Sequence, residues 1–156
     1  MRKDGKTPYF AHPVRVMITV REVFGCGDEA ALCAALLHDT IEDTTTDYDD
    51  LHSRFGQDVA DLVAALTKNM AMPEDRREPA YDKQLAAADW RARLVKCADV
   101  FDNLSDIETL DASKQSERRK DAAAKARRAI ALAVRDAKSH EPTRRAIQAL
   151  RERLAK

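Results

Sequence analysis

The sequence predicts an all-α protein that forms a single domain. Residues 30–37 are an apolar run without period-2 alternation and without enrichment in β-branched residues, which indicates a helix rather than a strand. Other segments repeat apolar residues three or four positions apart, and none has a convincing strand pattern. The 156 residues suffice for one domain with a hydrophobic core but not for two of ordinary size. We therefore predict a compact bundle of helices over residues 1–156.

The bundle is predicted to be organised around a helix over residues 29–43, with Asp28 as its N-cap. A helix that is apolar on all sides belongs in the middle of a domain. This one ends in four polar groups, and burying such groups is costly unless each is compensated. Spacing on a helix predicts that His38 lies against Glu42, and Asp39 against Asp43. Two candidate metal ligands followed by two carboxylates suit metal-assisted hydrolysis better than they suit packing.

The remaining elements are predicted from apolar spacing and from the residues that begin and end helices. A first helix begins at Pro13, presents Val16 and Val20 to the core, and ends at Gly25 and Gly27. After a break at residues 44–46, the pattern predicts a short helix that is capped by Thr46 with Asp49 and ends at Gly56. A helix over 58–68 follows, with Val59, Leu62, Val63 and Leu66 inward, and then a loop over 69–79. The rest of the chain is predicted to form a helix from Ala80, a helix over 90–104 capped by Asp89, a long helix over 113–138 and a last helix from Pro142.

The distribution of charge bears on the class of partner. The formal net charge is zero, which argues against a general nucleic-acid-binding protein. Residues 115–156 nevertheless carry 13 Lys and Arg against 5 Asp and Glu, so the remainder of the chain is acidic. The acidic part contains the candidate site and is compatible with binding a divalent metal. The basic part is either a solvated helical face or a region that attracts an anionic substrate.

The cysteines and the apolar runs bear on the cellular compartment. Cys26, Cys33 and Cys97 are odd in number and form no CxxC pair, so we expect reduced thiols rather than disulfides or a zinc knuckle. No apolar run reaches the roughly 18 residues that a membrane span requires. The first residues show no apolar signal-peptide segment. We therefore expect a cytoplasmic protein without a membrane partner.

Two further residues are candidate ligands beside His38 and Asp39. His12 lies at a helix start, and Asp99 lies within an apolar helix. Two imidazoles and two carboxylates form a mixed nitrogen and oxygen set, which suits Mn²⁺, Fe²⁺, Co²⁺ or Zn²⁺ and leaves positions for water and substrate. Each residue alone also has an ordinary structural interpretation; Asp99, for example, could pair with Lys96 or Arg93. Carboxylates at a helix C-terminus oppose the helix dipole, however, and this favours a functional role for Glu42 and Asp43.

Together these motifs resemble the HD-domain metal-dependent phosphohydrolases, specifically the hydrolase domain of the RelA/SpoT alarmone enzymes and the small alarmone hydrolases. The resemblance covers about residues 2–106, and residues 107–156 are expected to form C-terminal helices. The motifs that carry it are Arg2-Lys3-Asp4-Gly5 with Pro8-Tyr9, His12-Pro13, Ala35-Leu36-Leu37-His38-Asp39 with Glu42-Asp43-Thr44, Phe55-Gly56 through Leu66-Thr67-Lys68, and Val95-Lys96-Cys97-Ala98-Asp99 with Asn103-Leu104.

The resemblance implies a role for each matching residue. One ion, typically Mn²⁺, would be held by His12, His38, Asp39 and Asp99. Glu42 and Asp43 would position or deprotonate the attacking water, and Arg2, Lys3 and Asn103 would lie near the nucleotide. Asp102 stands where many alarmone hydrolases have His or Tyr, so substrate contacts are expected to differ there.

The leading functional hypothesis is Mn²⁺-dependent hydrolysis of guanosine 3′,5′-bis(diphosphate)-type nucleotides, with release of the 3′ pyrophosphate. One alternative keeps the phosphohydrolase but changes the substrate to another nucleotide or phosphoester. The other alternative is a non-catalytic nucleotide-binding regulatory module. The family usually has a further helix before the segment that opens this chain, which favours the non-catalytic alternative, whereas the intact ligand set and the Glu42-Asp43 pair favour an enzyme.

Overall fold

The computed structural model describes residues 8–107 and 112–155, and within these ranges the chain forms helices and turns but no strand. The all-α prediction is therefore confirmed. The helices are α1 (Ala11–Ile18), α2 (Glu29–Leu37), α3 (Thr40–Asp43), α4 (Tyr48–Phe55), α5 (Gln57–Leu66), α6 (Glu74–Ala87), α7 (Trp90–Ile107), α8 (Ala112–Ala133) and α9 (Glu141–Leu154). In the described part of the chain, none of these helices combines the length and the apolar character that crossing a membrane requires.

Two apolar helices, α2 and α7, form the centre of the bundle. Helix α2 packs against α1, α5 and α7, and α7 also contacts α6, α8 and α9. Ala31, Ala34 and Ala35 of α2 are fully buried, as are Leu94 and Val95 of α7. Small side chains on α2 allow its neighbours to approach closely, so polar side chains at its C-terminal end are carried into the interior. The prediction of a central helix leading to the His-Asp pair is confirmed.

That helix does not continue to residue 43, so the predicted helix over 29–43 is wrong at its end. Helix α2 ends with His38 as its C-cap, and the chain turns at Asp39 (φ −99°, ψ −2°) before α3 begins. The Thr40 hydroxyl donates to the Leu37 carbonyl at 2.7 Å, and a side-chain bond of this kind competes with regular helical pairing. The i,i+4 stacking predicted for His38 with Glu42 therefore does not describe this turn.

Two other predicted boundaries differ from the structure for identifiable reasons. The N-cap of α4 is Asp47, which forms a reciprocal capping box with Asp50, one residue later than the predicted Thr46 and Asp49 pair. Helix α6 begins at Glu74 and includes Pro79, so the loop predicted over 69–79 is shorter than expected. Glu74 and Asp75 place two carboxylates in the first turn of α6, where their negative charge interacts favourably with the helix dipole and stabilises the helix. The helix predicted over 58–68 is confirmed except at its last two residues, since α5 ends at Leu66, and its four inward residues are all buried.

A buried arginine joins α6, α7 and the turn that follows α8. Arg93 is 4% exposed, and its guanidinium donates to both Asp136 oxygens, at 2.6 and 3.0 Å. It also donates to the carbonyls of Leu85 and Ala88 at the end of α6, at 2.9 and 2.6 Å. Carbonyls in the last turn of a helix lack regular intrahelical donors, so Arg93 acts as a C-terminal cap of α6, and it shares the Leu85 carbonyl with the Ala88 N–H.

We expect Arg93→Met to lower the free energy of unfolding by about 3–5 kcal/mol, since removing one member of a buried pair leaves the other charge uncompensated. The methionine retains most of the side-chain volume, so the loss reports on the charge and its hydrogen bonds. Urea unfolding followed by circular dichroism measures the change. Arg21→Met is the control, because Arg21 pairs with Glu22 on the surface, where both side chains are more than 60% exposed. Equal unfolding midpoints for the Arg93 variant and the parent would contradict the assignment.

Candidate active site

Three buried side chains from three helices converge on one point. His12 lies in the first turn of α1, His38 caps α2 and Asp99 lies in the middle of α7. The Nε2 atom of His12 is 3.2 Å from Asp99 Oδ1, and the Nε2 atom of His38 is 3.9 Å from the same oxygen. One ligand atom of each residue lies within 4.8 Å of the other two. The structure therefore brings together three of the four predicted metal ligands.

The second nitrogen of each imidazole is already engaged, which determines what the first can do. His38 Nδ1 lies 2.8 Å from the Ala35 carbonyl, and His12 Nδ1 lies 2.6 Å from Asp102 Oδ2. Both acceptors lack a proton to give, so each Nδ1 carries the hydrogen, and in the neutral ring each Nε2 presents a lone pair. Metal-bound histidines in proteins are held in this way.

The His38 ring shows that the cluster fits a metal ion. Its Nε2 atom is buried and has no hydrogen-bond partner among the described residues. A buried acceptor without a partner is costly, and native structures rarely leave one without a reason. Coordination of a divalent cation by this lone pair and the neighbouring carboxylate would remove that cost. The donor set of two imidazoles and at least one carboxylate suits a borderline transition metal better than Ca²⁺ or Mg²⁺.

Asp99 is held ionised by its neighbours. Lys96 Nζ lies 2.7 Å from Asp99 Oδ2, and Asn103 donates to Asp99 Oδ1 at 2.7 Å. Burial alone would raise the pKa of the Asp99 carboxyl, but the neighbouring Lys96 ammonium holds this pKa well below its usual range. The sequence left open whether Asp99 was a ligand or a partner of Lys96; in the structure one carboxylate faces both Lys96 and the imidazoles.

Asp39 lies beside the cluster but outside the group whose atoms are all mutually close. Its Oδ1 atom is 3.3 Å from His38 Nε2, and its Oδ2 atom is 4.0 Å from His12 Nε2. The Tyr9 hydroxyl donates to Asp39 Oδ2. Burial, together with Asp39 and Asp43, raises the pKa of the Tyr9 hydroxyl, so Tyr9 acts as a donor here. The assignment of Asp39 as a fourth ligand remains a prediction.

The two predicted catalytic carboxylates occupy different settings on α3. Glu42 is half-buried, and its Oε1 atom accepts the backbone N–H of Lys68 at 2.5 Å. Asp43 is exposed, and both residues line the cavity that contains the metal-ligand candidates. Glu42 therefore has a structural contact with the turn after α5 in addition to its position beside the cluster.

The cavity has a volume of about 480 Å³ and is lined by both anionic and cationic side chains. Beside the imidazoles and carboxylates, Lys68, Lys96, Arg118 and Lys125 contribute cations to its lining. Lys96 pairs with Asp99, and Lys125 pairs with Asp121 at 2.8 Å. Arg118 and Lys125 come from the basic segment 115–156, which was predicted to be either a solvated face or a region that attracts an anion. Their place in the cavity supports the second assignment for these two residues.

The predicted substrate-binding residues have different outcomes. Asn103 lines the cavity one helical turn after Asp99, as its spacing predicts. Arg2 and Lys3 lie outside the described residues. Asp102 was expected to alter substrate contacts, but it is 4% exposed and is not part of the cavity lining; it bonds His12 instead. Its three-residue spacing from Asp99 on an apolar helix was the available signal, because that spacing places both carboxylates on one face.

Comparison with known proteins gives concordant results. A family model described as HD domain matches residues 1–136. The chain is 39% identical over 119 residues to the guanosine-3′,5′-bis(diphosphate) 3′-pyrophosphohydrolase MESH1 of Xenopus tropicalis, covering 76% of this chain and 66% of that protein. The MESH1 protein of Drosophila melanogaster is 37% identical over 122 residues, with 77% and 68% covered. The chain thus spans about two thirds of the length of these relatives.

A bacterial relative and a solved structure agree with these matches. The guanosine-3′,5′-bis(diphosphate) 3′-pyrophosphohydrolase of Aquifex aeolicus is 39% identical over 122 residues, which cover 76% of this chain and 17% of that protein. A solved structure, described as a metazoan ortholog of SpoT that hydrolyzes ppGpp, superposes with a TM-score of 0.77 at 28% identity. The superposition covers 96% of this chain and 83% of the chain in that structure.

Proposed function

The chain belongs to the HD-domain family, and from this premise we propose that it hydrolyses guanosine 3′,5′-bis(diphosphate) and releases pyrophosphate from the 3′ position. The observation that carries the proposal is the convergence of His12, His38 and Asp99 on a cavity that also presents Glu42. The names of the relatives from Xenopus, Drosophila and Aquifex support the choice of nucleotide.

The proposed metal is Mn²⁺, held by His12, His38 and Asp99 with Asp39 as the fourth ligand. Two imidazoles with carboxylates favour a transition metal of this kind, and the lone pair on His38 Nε2 supports coordination. When bound, a divalent ion supplies Lewis-acid chemistry, since it polarises a phosphoryl oxygen and acidifies water. The protein's own part is to keep Asp99 ionised through Lys96 and Asn103, so that the site is anionic before an ion arrives.

Glu42 is proposed to accept the proton of the attacking water, with Asp43 assisting in its orientation. The water oxygen forms a bond to the phosphorus that carries the 3′ oxygen. The bond between that phosphorus and the 3′ oxygen breaks, and the released 3′ oxygen takes up a proton. The Lys68 N–H fixes one oxygen of Glu42, which leaves the other oxygen to contact water. A general base held in this way is pre-oriented for proton transfer.

The cations of the cavity are proposed to bind the phosphate groups of the substrate. Lys68, Arg118 and Lys125 line the wall together with Lys96. A nucleotide with two diphosphates carries several negative charges, and clustered cations distinguish it from a simple phosphomonoester. Asn103 is proposed to donate a hydrogen bond beside the metal. Arg2 and Lys3 retain their proposed contact with the nucleotide on the basis of the sequence motif alone.

The test is product analysis with guanosine 3′,5′-bis(diphosphate), GDP and GTP in parallel reactions, each with Mn²⁺ and with excess chelator. We expect pyrophosphate and GDP from the bis(diphosphate) in the presence of Mn²⁺. We expect little product from GDP or GTP, because both lack the 3′ group, and none from any nucleotide under chelation.

The alternatives give different results in the same assay. Faster cleavage of GTP than of the bis(diphosphate) would indicate a general nucleotide phosphohydrolase. No cleavage of the bis(diphosphate) at full metal occupancy would refute the proposed substrate. Metal content measured on the same sample establishes that occupancy.

A further inference from the structure

Behind His12, on the side away from the metal-ligand cluster, lies a hydrogen-bonded chain of charged side chains. Asp102 Oδ2 accepts from His12 Nδ1 at 2.6 Å, and Asp102 Oδ1 accepts from Arg15 Nε at 2.6 Å. Arg15 Nη2 donates to Asp102 Oδ2 at 3.0 Å and to Asp106 Oδ1 at 2.8 Å. Asp102 is 4% exposed, so this carboxylate is removed from water and surrounded by its donors.

We propose that Asp102 is a positioning residue for the metal site, which holds His12 in the Nδ1–H tautomer with Nε2 aimed at Asp99, and that Arg15 holds Asp102 in turn. The inference rests on the metal binding that the proposed function requires, but it does not depend on which substrate is cleaved. Asp102 is not itself part of the cavity lining, and it bonds His12, which is.

The geometry discriminates between the two neutral tautomers of His12. In the Nδ1–H form the ring donates to a carboxylate oxygen 2.6 Å away, which is a charge-assisted hydrogen bond. In the Nε2–H form a nitrogen lone pair would face that same oxygen at 2.6 Å, whereas in the Nδ1–H form the lone pair faces Asp99 Oδ1 at the longer distance of 3.2 Å. That longer contact lies in the metal-ligand cluster, where a bound cation would interact with both the lone pair and the carboxylate. The first form is therefore strongly favoured, and it is the form that can ligate through Nε2.

Arg15 keeps the charge on Asp102 that this arrangement needs. The guanidinium donates to both Asp102 oxygens, at 2.6 and 3.0 Å, so a cation directly compensates the buried carboxylate. An ionised acceptor behind a histidine also makes the opposite nitrogen a stronger metal ligand. His38 differs in this respect, because its Nδ1 donates to the backbone carbonyl of Ala35, which no side-chain substitution removes.

The experiment measures Mn²⁺ affinity without any nucleotide, by titration of free Mn²⁺ in electron paramagnetic resonance, for the parent and for Asp102→Asn. Partners behind a metal ligand typically contribute 10–100-fold to affinity, so we expect the variant to bind Mn²⁺ about 10–100-fold more weakly. Thermal unfolding of both metal-free proteins shows whether the variant remains folded at the titration temperature.

Asp106→Asn is the matched control. Asp106 lies one turn after Asp102 and bonds the same Arg15, yet the distances above place only Asp102 on the His12 ring. We expect its Mn²⁺ affinity to equal that of the parent. Parental affinity in folded Asp102→Asn would overturn the proposal. An equal loss in Asp106→Asn would also overturn it, because Asp106 lines the cavity and an equal loss would indicate a general effect of removing a negative charge there.

A spectroscopic measurement on the parent keeps the proposal testable even where Asp102→Asn does not fold. In the Zn²⁺-loaded, diamagnetic protein, long-range ¹H–¹⁵N correlation spectra identify which imidazole nitrogen carries the proton. We expect His12 to show a protonated Nδ1 and a metal-bound Nε2; ligation through Nδ1 would overturn the proposal.

A parent that binds metal but cleaves no nucleotide would refute the proposed substrate and leave this test intact. A parent that binds no divalent ion would overturn both.

Discussion

Glu42→Gln is expected to retain the metal ion and to lose turnover by a factor of about 10²–10⁴, the contribution typical of a general acid or base. Glutamine has the shape of glutamate and keeps an oxygen that can accept the Lys68 N–H, but it cannot take a proton from water. The substitution therefore separates proton transfer from the structural contact. Turnover of guanosine 3′,5′-bis(diphosphate) at saturating Mn²⁺, with metal content measured on the same sample, checks this expectation.

Glu42→Ala is the companion variant, because alanine removes both the carboxylate and the bond to Lys68. We expect similar turnover in the two variants, and lower stability in Glu42→Ala alone. Near-parental turnover in Glu42→Gln at normal metal content would mean that Glu42 serves only to fix the turn after α5.

Asp39→Asn is expected to weaken Mn²⁺ binding by more than the roughly 10–100-fold that partners behind a metal ligand contribute, because Asp39 is predicted to be a ligand itself. Asparagine preserves the size of the side chain and removes its charge next to His38 Nε2, from which Asp39 Oδ1 lies 3.3 Å away. Isothermal titration with Mn²⁺ measures the difference between variant and parent.

Asp43→Asn is the control for charge, because it removes a carboxylate from the same cavity without a described contact to either imidazole. Its Mn²⁺ affinity is expected to fall far less than that of Asp39→Asn. Equal affinity and stoichiometry in Asp39→Asn and the parent would remove Asp39 from the site and leave His12, His38 and Asp99 as the protein ligands.

Most of the helices could be predicted from the sequence, because the apolar spacing and the capping residues that define each helix lie within the helix or next to it. The spacing of Val59, Leu62, Val63 and Leu66 reports which face of α5 is buried, and the structure confirms that face. Asp28 was correctly predicted as the N-cap of α2, where its side chain accepts the Ala31 N–H at 2.9 Å. Caps and apolar spacing are local signals, so a single chain suffices to detect them.

The end of α2 shows where local signals were insufficient. Helical spacing predicted a continuous helix through Glu42, yet the chain turns at Asp39. His38 and Asp39 lie beside His12 and Asp99, which come from helices distant in the sequence. Helix propensity and spacing describe a helix in isolation. At the end of α2, contacts with other helices accompany the change in backbone direction, and these contacts are not visible in the local sequence.

The sequence by itself determined the helical class, the buried faces and the residue types that can hold a metal. Only the tertiary structure decided how these residues meet. It placed Asp102 behind His12, although the two residues are 90 positions apart in the chain. It also brought Arg118 and Lys125 of α8 to the cavity that contains the cluster. The physical reason is that helical periodicity identifies which face of a helix is buried, whereas the partner of that face is set by how all the helices pack together.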